Sequence, residues 1–198
     1  MESRVVFFDN RKPENTDTTF RLVKERLSGS KRIKKLVIAS TTGATALKAL
    51  EFFQDTGVKL VVVSHQFDFR RKVHPFPPEL ARKLRDAGHE VYYGTMLFHT
   101  DSLYENKAPT LMANLLRCFS QGVKVCFEIV LMVTDAGLVA SGEKVIAIAG
   151  TVRGADTAMV MQAASTQHLK HLRVQEILCK PLNPLNIEEV YEQEAGTE

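Results

Sequence analysis

The sequence predicts an α/β protein in which helices alternate with parallel strands, and three observations carry that reading. Residues 36–39 (LVIA) and 60–63 (LVVV) are unbroken apolar runs rich in β-branched side chains, the pattern of parallel strands covered on both faces. Between them Ala46, Leu47, Ala49, Leu50 and Phe53 recur at helical spacing, and Gly57 stands where a left-handed residue closes a helix. The unit then repeats: Pro77 and Pro78 open a helix through Leu80, Ala81, Leu84 and Ala87, Gly88 ends it, and HEVYY at 89–93 supplies the next strand.

The other elements follow in chain order. VVFF at 5–8 reads as a strand, and 17–27 as a helix with Phe20, Val23 and Leu27 on one face. From 109 to 137 the pattern is helical throughout with mostly apolar faces, which places it inside the protein; Gly122 marks a kink or a boundary between two helices. KVIAIAG (144–150), the turn-rich TVRGADT (151–157) and AMVMQAA (158–164) read as two strands joined by a loop, and VQEILCKP (174–181) as one more strand. Residues 182–198 are polar and acidic and are expected to form a loosely held tail. No linker or repeat interrupts the chain, so 1–198 reads as a single domain.

Composition excludes several classes. With 26 basic and 23 acidic residues the net charge is +3, too small to imply a polyanionic partner. The basic clusters KRIKK (31–35) and RRK (70–72) have no interleaved aromatics, so they read as solvated edges and no nucleic acid is expected. Cys118, Cys126 and Cys179 form no CxxC pair and no closed disulfide framework, which suits a reducing, cytoplasmic setting. The N-terminal residues mix charges and do not read as a signal peptide, and Glu128 interrupts the longest apolar stretch, so no membrane association is expected.

The candidate chemistry lies in loops. Ser40, Thr41, Thr42, Gly43 and Thr45 sit between a strand and a helix, where unpaired N–H groups and the positive end of the helix dipole attract anions. Their four hydroxyls can donate to phosphate oxygens; ordinary capping by Thr42 or Ser40 would need only one of them. No GxxxxGK[ST] lysine is present, so magnesium-nucleotide hydrolysis is not indicated. TVRGADT, with Gly150 before it, offers Arg153 as a bidentate phosphate clamp, although on residue types alone it reads first as a turn. Glu128, on an apolar helical face, calls for a buried salt bridge ahead of a general-base role. His168 and His171 stand three apart without a nearby carboxylate or cysteine, so no metal is expected. No GxSxG elbow exists, and adjacency of Ser64 and His65 does not make a nucleophile and base.

STTGATALKALEFF resembles the effector-phosphate loop and following helix of the pyruvate kinase C-terminal domain, and KVIAIAGTVRGADTAMVMQAA resembles that domain's final hairpin. SHQFDF, QGVKVCFEIVLMVTDAGL, GTVRGADTA and EILCKP are similar to the stand-alone archaeal pyruvate kinase alpha/beta domain proteins. The resemblance implies a three-layer, mainly parallel sheet ending in a strand pair. It implies no pyruvate kinase activity, because no barrel accompanies the domain, and leaves enzymatic activity open. It places a phosphate at Ser40, Thr41, Thr42, Gly43 and Thr45, with Gly150, Thr151, Arg153, Gly154 and Thr157 facing the same pocket. Flavin mononucleotide (FMN) is the ligand expected, with Ser64, His65, Gln66 and Thr95 positioned for the flavin ring or ribityl chain and His99 placed like Thr95. A sugar-phosphate-sensing regulatory module is the alternative, a flavin-dependent oxidoreductase a further one, and self-association into a homo-oligomer is in keeping with either. GTMLFHTD departs from the Ala-Thr-His run of such relatives.

Overall fold

In a computed structural model, residues 4–9, 12, 14–30, 32–69 and 72–195 are described. The chain order is β1 (Val6–Phe8), α1 (Asn15–Ser28), β2 (Lys35–Ala39), α2 (Ala44–Phe52), β3 (Lys59–Ser64), α3 (Pro78–Asp86) and β4 (Glu90–Tyr93). A 3-10 turn at Leu97–His99 leads into α4 (Asp101–Tyr104), α5 (Ala108–Arg117) and α6 (Gln121–Asp135), and a second 3-10 segment, Thr166–His171, precedes the last strand. Then come β5 (Lys144–Ala149), β6 (Thr157–Gln162), β7 (Arg173–Pro181) and α7 (Ile187–Ala195).

One mixed sheet runs in the order β1-β7-β6-β5-β2-β3-β4. All pairings are parallel except those of β6, which runs antiparallel to both β5 and β7. Side chains alternate across each strand, and both sets are apolar, so the sheet is covered on two sides. Leu36, Ile38, Leu60, Val62, Ile146 and Ile148 pack with Phe20 and Val23 of α1, Ala46 and Ala49 of α2, and Leu84 of α3. Val37, Val61, Val63, Val145 and Ala147 pack against Val123, Cys126, Ile129, Val130 and Val133 of α6. The result is the expected three-layer α/β fold.

Of the two arrangements expected for 109–137, two successive helices is the one observed, and three expectations are corrected: the place of the break, the burial of the first helix and the loose tail. The helical run 109–137 splits at 118–120, where Ser120 leaves helical geometry and its Oγ accepts the Val123 N–H at 3.0 Å. Gly122 therefore sits in the first turn of α6 rather than at the break, and a Cβ there would lie 2.2 Å from Thr157 Oγ1. Only α6 is packed inside; α5 lies outside with Leu111 and Leu115 exposed. The expected loose tail is also structured through residue 195, with Leu185 and Val190 buried. Residues 196–198 and the cluster residues Lys31, Arg70 and Arg71 lie outside the described set. Among the described residues no helix is long and apolar enough to cross a membrane.

Candidate functional site at the carboxyl edge of the sheet

Because β2, β3, β4 and β5 are parallel, the loops that follow them emerge on one edge. β2, β3 and β4 step away in one direction, while β5 lies on the other side of β2, paired through Ile38↔Ile148. The strand order reverses between β2 and β5, which is where open α/β sheets leave a crevice for ligands. The Ser40 and Gly150 turns rise from those two neighbouring strands.

The Ser40 turn is held from below. Ser40 donates its N–H to the Val63 carbonyl at 2.9 Å, and its Oγ accepts the Ala46 N–H at 3.2 Å. That one hydroxyl performs the capping. Gly43 has φ +89°, and a Cβ at that position would meet Leu80 Cδ2 at 2.5 Å and Pro77 Cδ at 3.3 Å, so both conformation and space require glycine. Thr41 Oγ1 pairs with His65 Nε2 at 3.2 Å, and the Thr41 carbonyl accepts from Ser64 Oγ at 3.0 Å. Thr42 is exposed and Thr45 buried. The five consecutive N–H groups of Thr41 to Thr45 find no acceptor among the described residues. They stand at the N-terminus of α2, where the dipole favours negative charge.

The second loop is closed on itself. Asp156 accepts the Thr151 N–H at 3.1 Å and the Thr157 hydroxyl at 2.8 Å, and donates its own N–H to the Ala149 carbonyl at 3.1 Å. Ala155 is tied to α1 through Thr16 Oγ1 at 2.9 Å and Thr19 Oγ1 at 3.2 Å. A Cβ on Gly150 would lie 2.3 Å from the Gly154 carbonyl oxygen, so the loop folds tightly over it. Thr157 is fully buried with its hydroxyl engaged, hence part of the scaffold rather than the pocket lining that was expected. Arg153 is exposed. Among the described residues, Thr151 Oγ1 is the one buried side-chain oxygen with no hydrogen-bond partner.

The β3 and β4 loops add rings and a buried ion pair. Gln66 Oε1 accepts the Met96 N–H at 3.0 Å, so Gln66 braces the β4 loop, while Thr95 is exposed. His74 Nδ1 accepts the Phe76 N–H at 3.1 Å, which leaves Nε2 to donate to the His65 carbonyl at 2.8 Å. His65 and His99 flank Phe69 with centroids 4.9 and 5.2 Å away, and Phe67, His74 and Tyr93 form a second group. Burial raises the Tyr93 phenol above its ordinary value. Beneath them Lys124 Nζ donates to Glu128 Oε2 at 2.6 Å and lies 3.3 Å from His99 Nε2; Glu128 Oε1 accepts the Phe98 N–H at 2.8 Å.

Glu128 thus has the structural partner expected of a buried carboxylate. Lys124 was not singled out from the sequence, although its i,i+4 spacing to Glu128 was the available signal. Ser120 was also missed, because its contact with Thr157 spans 37 residues of chain, and Asp156, named only as a member of the TVRGADT loop, turns out to close it. The rings of His168 and His171 stack at 5.9 Å on the surface, and no group of three or more His, Cys, Asp or Glu fit for a metal occurs among the described residues. An open cleft of about 620 Å³ lies at the opposite, amino edge, lined by Phe53, Gly57, Lys59, Lys83 and His89. Helix C-termini point there, which does not suit an anion.

The stretch that carries the turn-to-helix site and the closed hairpin loop matches a known family. Residues 23–161, from α1 through β6, match the family described as "Pyruvate kinase, alpha/beta domain". This chain belongs to the pyruvate kinase alpha/beta domain family.

Proposed function

We propose that the protein binds a phosphate-bearing small molecule at the Ser40–Thr45 turn, and that the molecule is FMN. The observation that carries this reading is the run of five unpaired N–H groups at the start of α2, beside a surplus of hydroxyls. The orphaned Thr151 hydroxyl on the neighbouring strand end supports it, since a buried donor without a partner costs about 1–3 kcal/mol that a phosphate oxygen would recover. Asp156 is no obstacle, because its carboxylate oxygens already accept from Thr151 and Thr157. The His65, Phe69 and His99 rings, on the β3–β4 side of the turn, favour a planar group over a sugar as the remainder of the ligand. A reducing cytoplasmic setting fits the three free thiols, of which burial pushes Cys179 up to about 12.

The test is a thermal-shift and fluorescence titration of the purified chain with FMN, riboflavin and a panel of sugar phosphates. FMN at 100 times its dissociation constant stabilises by about 2.7 kcal/mol. Riboflavin, lacking the phosphate, binds at least tenfold more weakly. Binding of sugar phosphates without FMN would replace this reading with the regulatory module. Flavin-dependent turnover of a nicotinamide cofactor would extend it to an oxidoreductase, and absence of any binding would overturn it.

A further inference from the structure

α6 carries two buried charges that its packing does not need. Lys124 is 1% and Glu128 3% exposed, on a helix already docked to the sheet by Val123, Cys126, Ile129, Val130 and Val133. An apolar pair of similar volume would hold such a helix as well or better, because two charges withdrawn from water are repaid only in part by their attraction. The contacts of the pair reach instead to the loop after β4. Glu128 Oε1 accepts the Phe98 N–H at 2.8 Å, while Lys124 Nζ stands 5.4 Å from the centre of the Phe98 ring and 3.3 Å from His99 Nε2.

We propose that Lys124 and Glu128 are positioning residues of the ligand site, holding His99 as a neutral imidazole with its proton on Nδ1 in the ring wall that receives the planar part of the ligand. The proposal rests on the reading that the ligand's phosphate occupies the Ser40–Thr45 turn. An ammonium has only hydrogens to give, so the nitrogen beside it, Nε2, accepts, and the ring proton falls to Nδ1. An imidazolium would turn an N–H toward that ammonium and is disfavoured. Glu128 orients both groups: Oε2 accepts from Lys124 at 2.6 Å and aims the ammonium, and Oε1 fixes the backbone of the residue before His99. From His99 the contacts continue to the phosphate turn. Its ring meets Phe69 edge-on at 5.2 Å, Phe69 meets His65 at 4.9 Å, and His65 Nε2 lies 3.2 Å from Thr41 Oγ1 in the turn itself. A binding wall whose rings are locked from behind meets its ligand without rearranging, which is what raises affinity. Removing both charges together should therefore leave the fold in place and loosen the wall.

The experiment compares the wild type with Lys124→Met/Glu128→Gln and with His99→Leu. The double variant removes both charges and keeps, in the glutamine oxygen, an acceptor for the Phe98 N–H. It retains wild-type circular dichroism and cooperative urea unfolding, yet binds FMN about tenfold more weakly. His99→Leu, which leaves the ion pair in place, shows the same loss. Long-range proton–nitrogen NMR spectra of the labelled wild type, recorded without ligand and assigned through the signal missing in His99→Leu, show His99 protonated on Nδ1. A His99 protonated on Nε2 or on both nitrogens at neutral pH overturns the proposal, and so does wild-type FMN affinity in either folded variant. If the wild type binds no FMN, the phosphate reading beneath the proposal fails, whereas the spectra, which need no ligand, decide by themselves whether Lys124 holds His99.

Discussion

The two edges of one sheet are built on different terms. At the amino edge, Gly57, Gly88 and Gly142 are left-handed turns where an added Cβ would touch nothing, and the charges are paired near the surface, as in Lys59–Glu90 at 2.8 Å. At the carboxyl edge, Gly43 and Gly150 are hemmed in, Lys124 and Glu128 are buried together, and among the described residues five N–H groups and one buried hydroxyl find no partner. Among the described residues, the one buried side-chain oxygen without a partner, Thr151 Oγ1, lies at the carboxyl edge. Within the carboxyl edge the same division recurs: the 150–157 loop is a closed scaffold, and the Ser40 turn is the open half.

The largest difference should be seen in the ion pairs. Glu128→Ala strands the Lys124 ammonium and the Phe98 N–H in a buried site and is expected to cost about 3–5 kcal/mol in urea unfolding. Glu90→Ala removes a pair whose side chains are 41% and 36% exposed, and should cost less than about 1 kcal/mol. Equal losses would erase the contrast.

The glycines come next. Gly150→Ala forces backbone apart, since the Gly154 oxygen would be 2.3 Å from the new Cβ, and about 2–3 kcal/mol of destabilisation is expected. Gly57→Ala meets only the left-handed conformational penalty at φ +68°, about 1–2 kcal/mol. Thermal or chemical denaturation of both variants measures the difference directly.

A pH effect belongs to the amino edge. Burial, and then Lys59, depress the His89 imidazole below the ordinary 6.5, and its Nδ1 accepts the Leu60 N–H at 3.2 Å. The unfolded chain therefore takes up a proton near 6.5 that the folded chain resists, so this residue's contribution to stability falls as pH drops below that value. His89→Gln should flatten the stability profile between neutral and mildly acidic pH; an unchanged profile would show that another group sets it.

The smallest effect is the most specific. Thr42→Asp puts a carboxylate at an exposed position beside the N-terminus of α2, where it should stabilise the fold by about 0.3–1 kcal/mol. The same charge repels a phosphate, so FMN affinity should drop at least tenfold, about 1.4 kcal/mol. A variant both more stable and still able to bind would move the phosphate elsewhere.

Much of this architecture was legible beforehand. The apolar runs of β2, β3 and β5, the left-handed Gly43 and the helix-closing Gly88 stand where the sequence placed them; Gly57 is left-handed but does not close α2, which ends at Phe52. The errors share a cause. α5 and α6 carry similar apolar content, yet periodicity records only that a face is apolar, not that anything covers it. The 182–195 segment looked too polar to order, but Leu185 and Val190 suffice to dock it. Thr157 was assigned to the pocket by its loop, whereas strand pairing turned it toward Ser120 and Asp156.

What the sequence alone determined are the terms that act between chain neighbours. These are the alternation of strand and helix, the turns that need glycine, and the hydroxyl-rich start of α2, because steric and helix-end effects are local. Only the tertiary structure decided that β5 lies beside β2, that Ser40 rather than Thr42 does the capping, and that the Lys124–Glu128 pair is buried against His99. Those outcomes rest on burial and pairing between residues as far as 110 positions apart in β2 and β5, which no local pattern encodes.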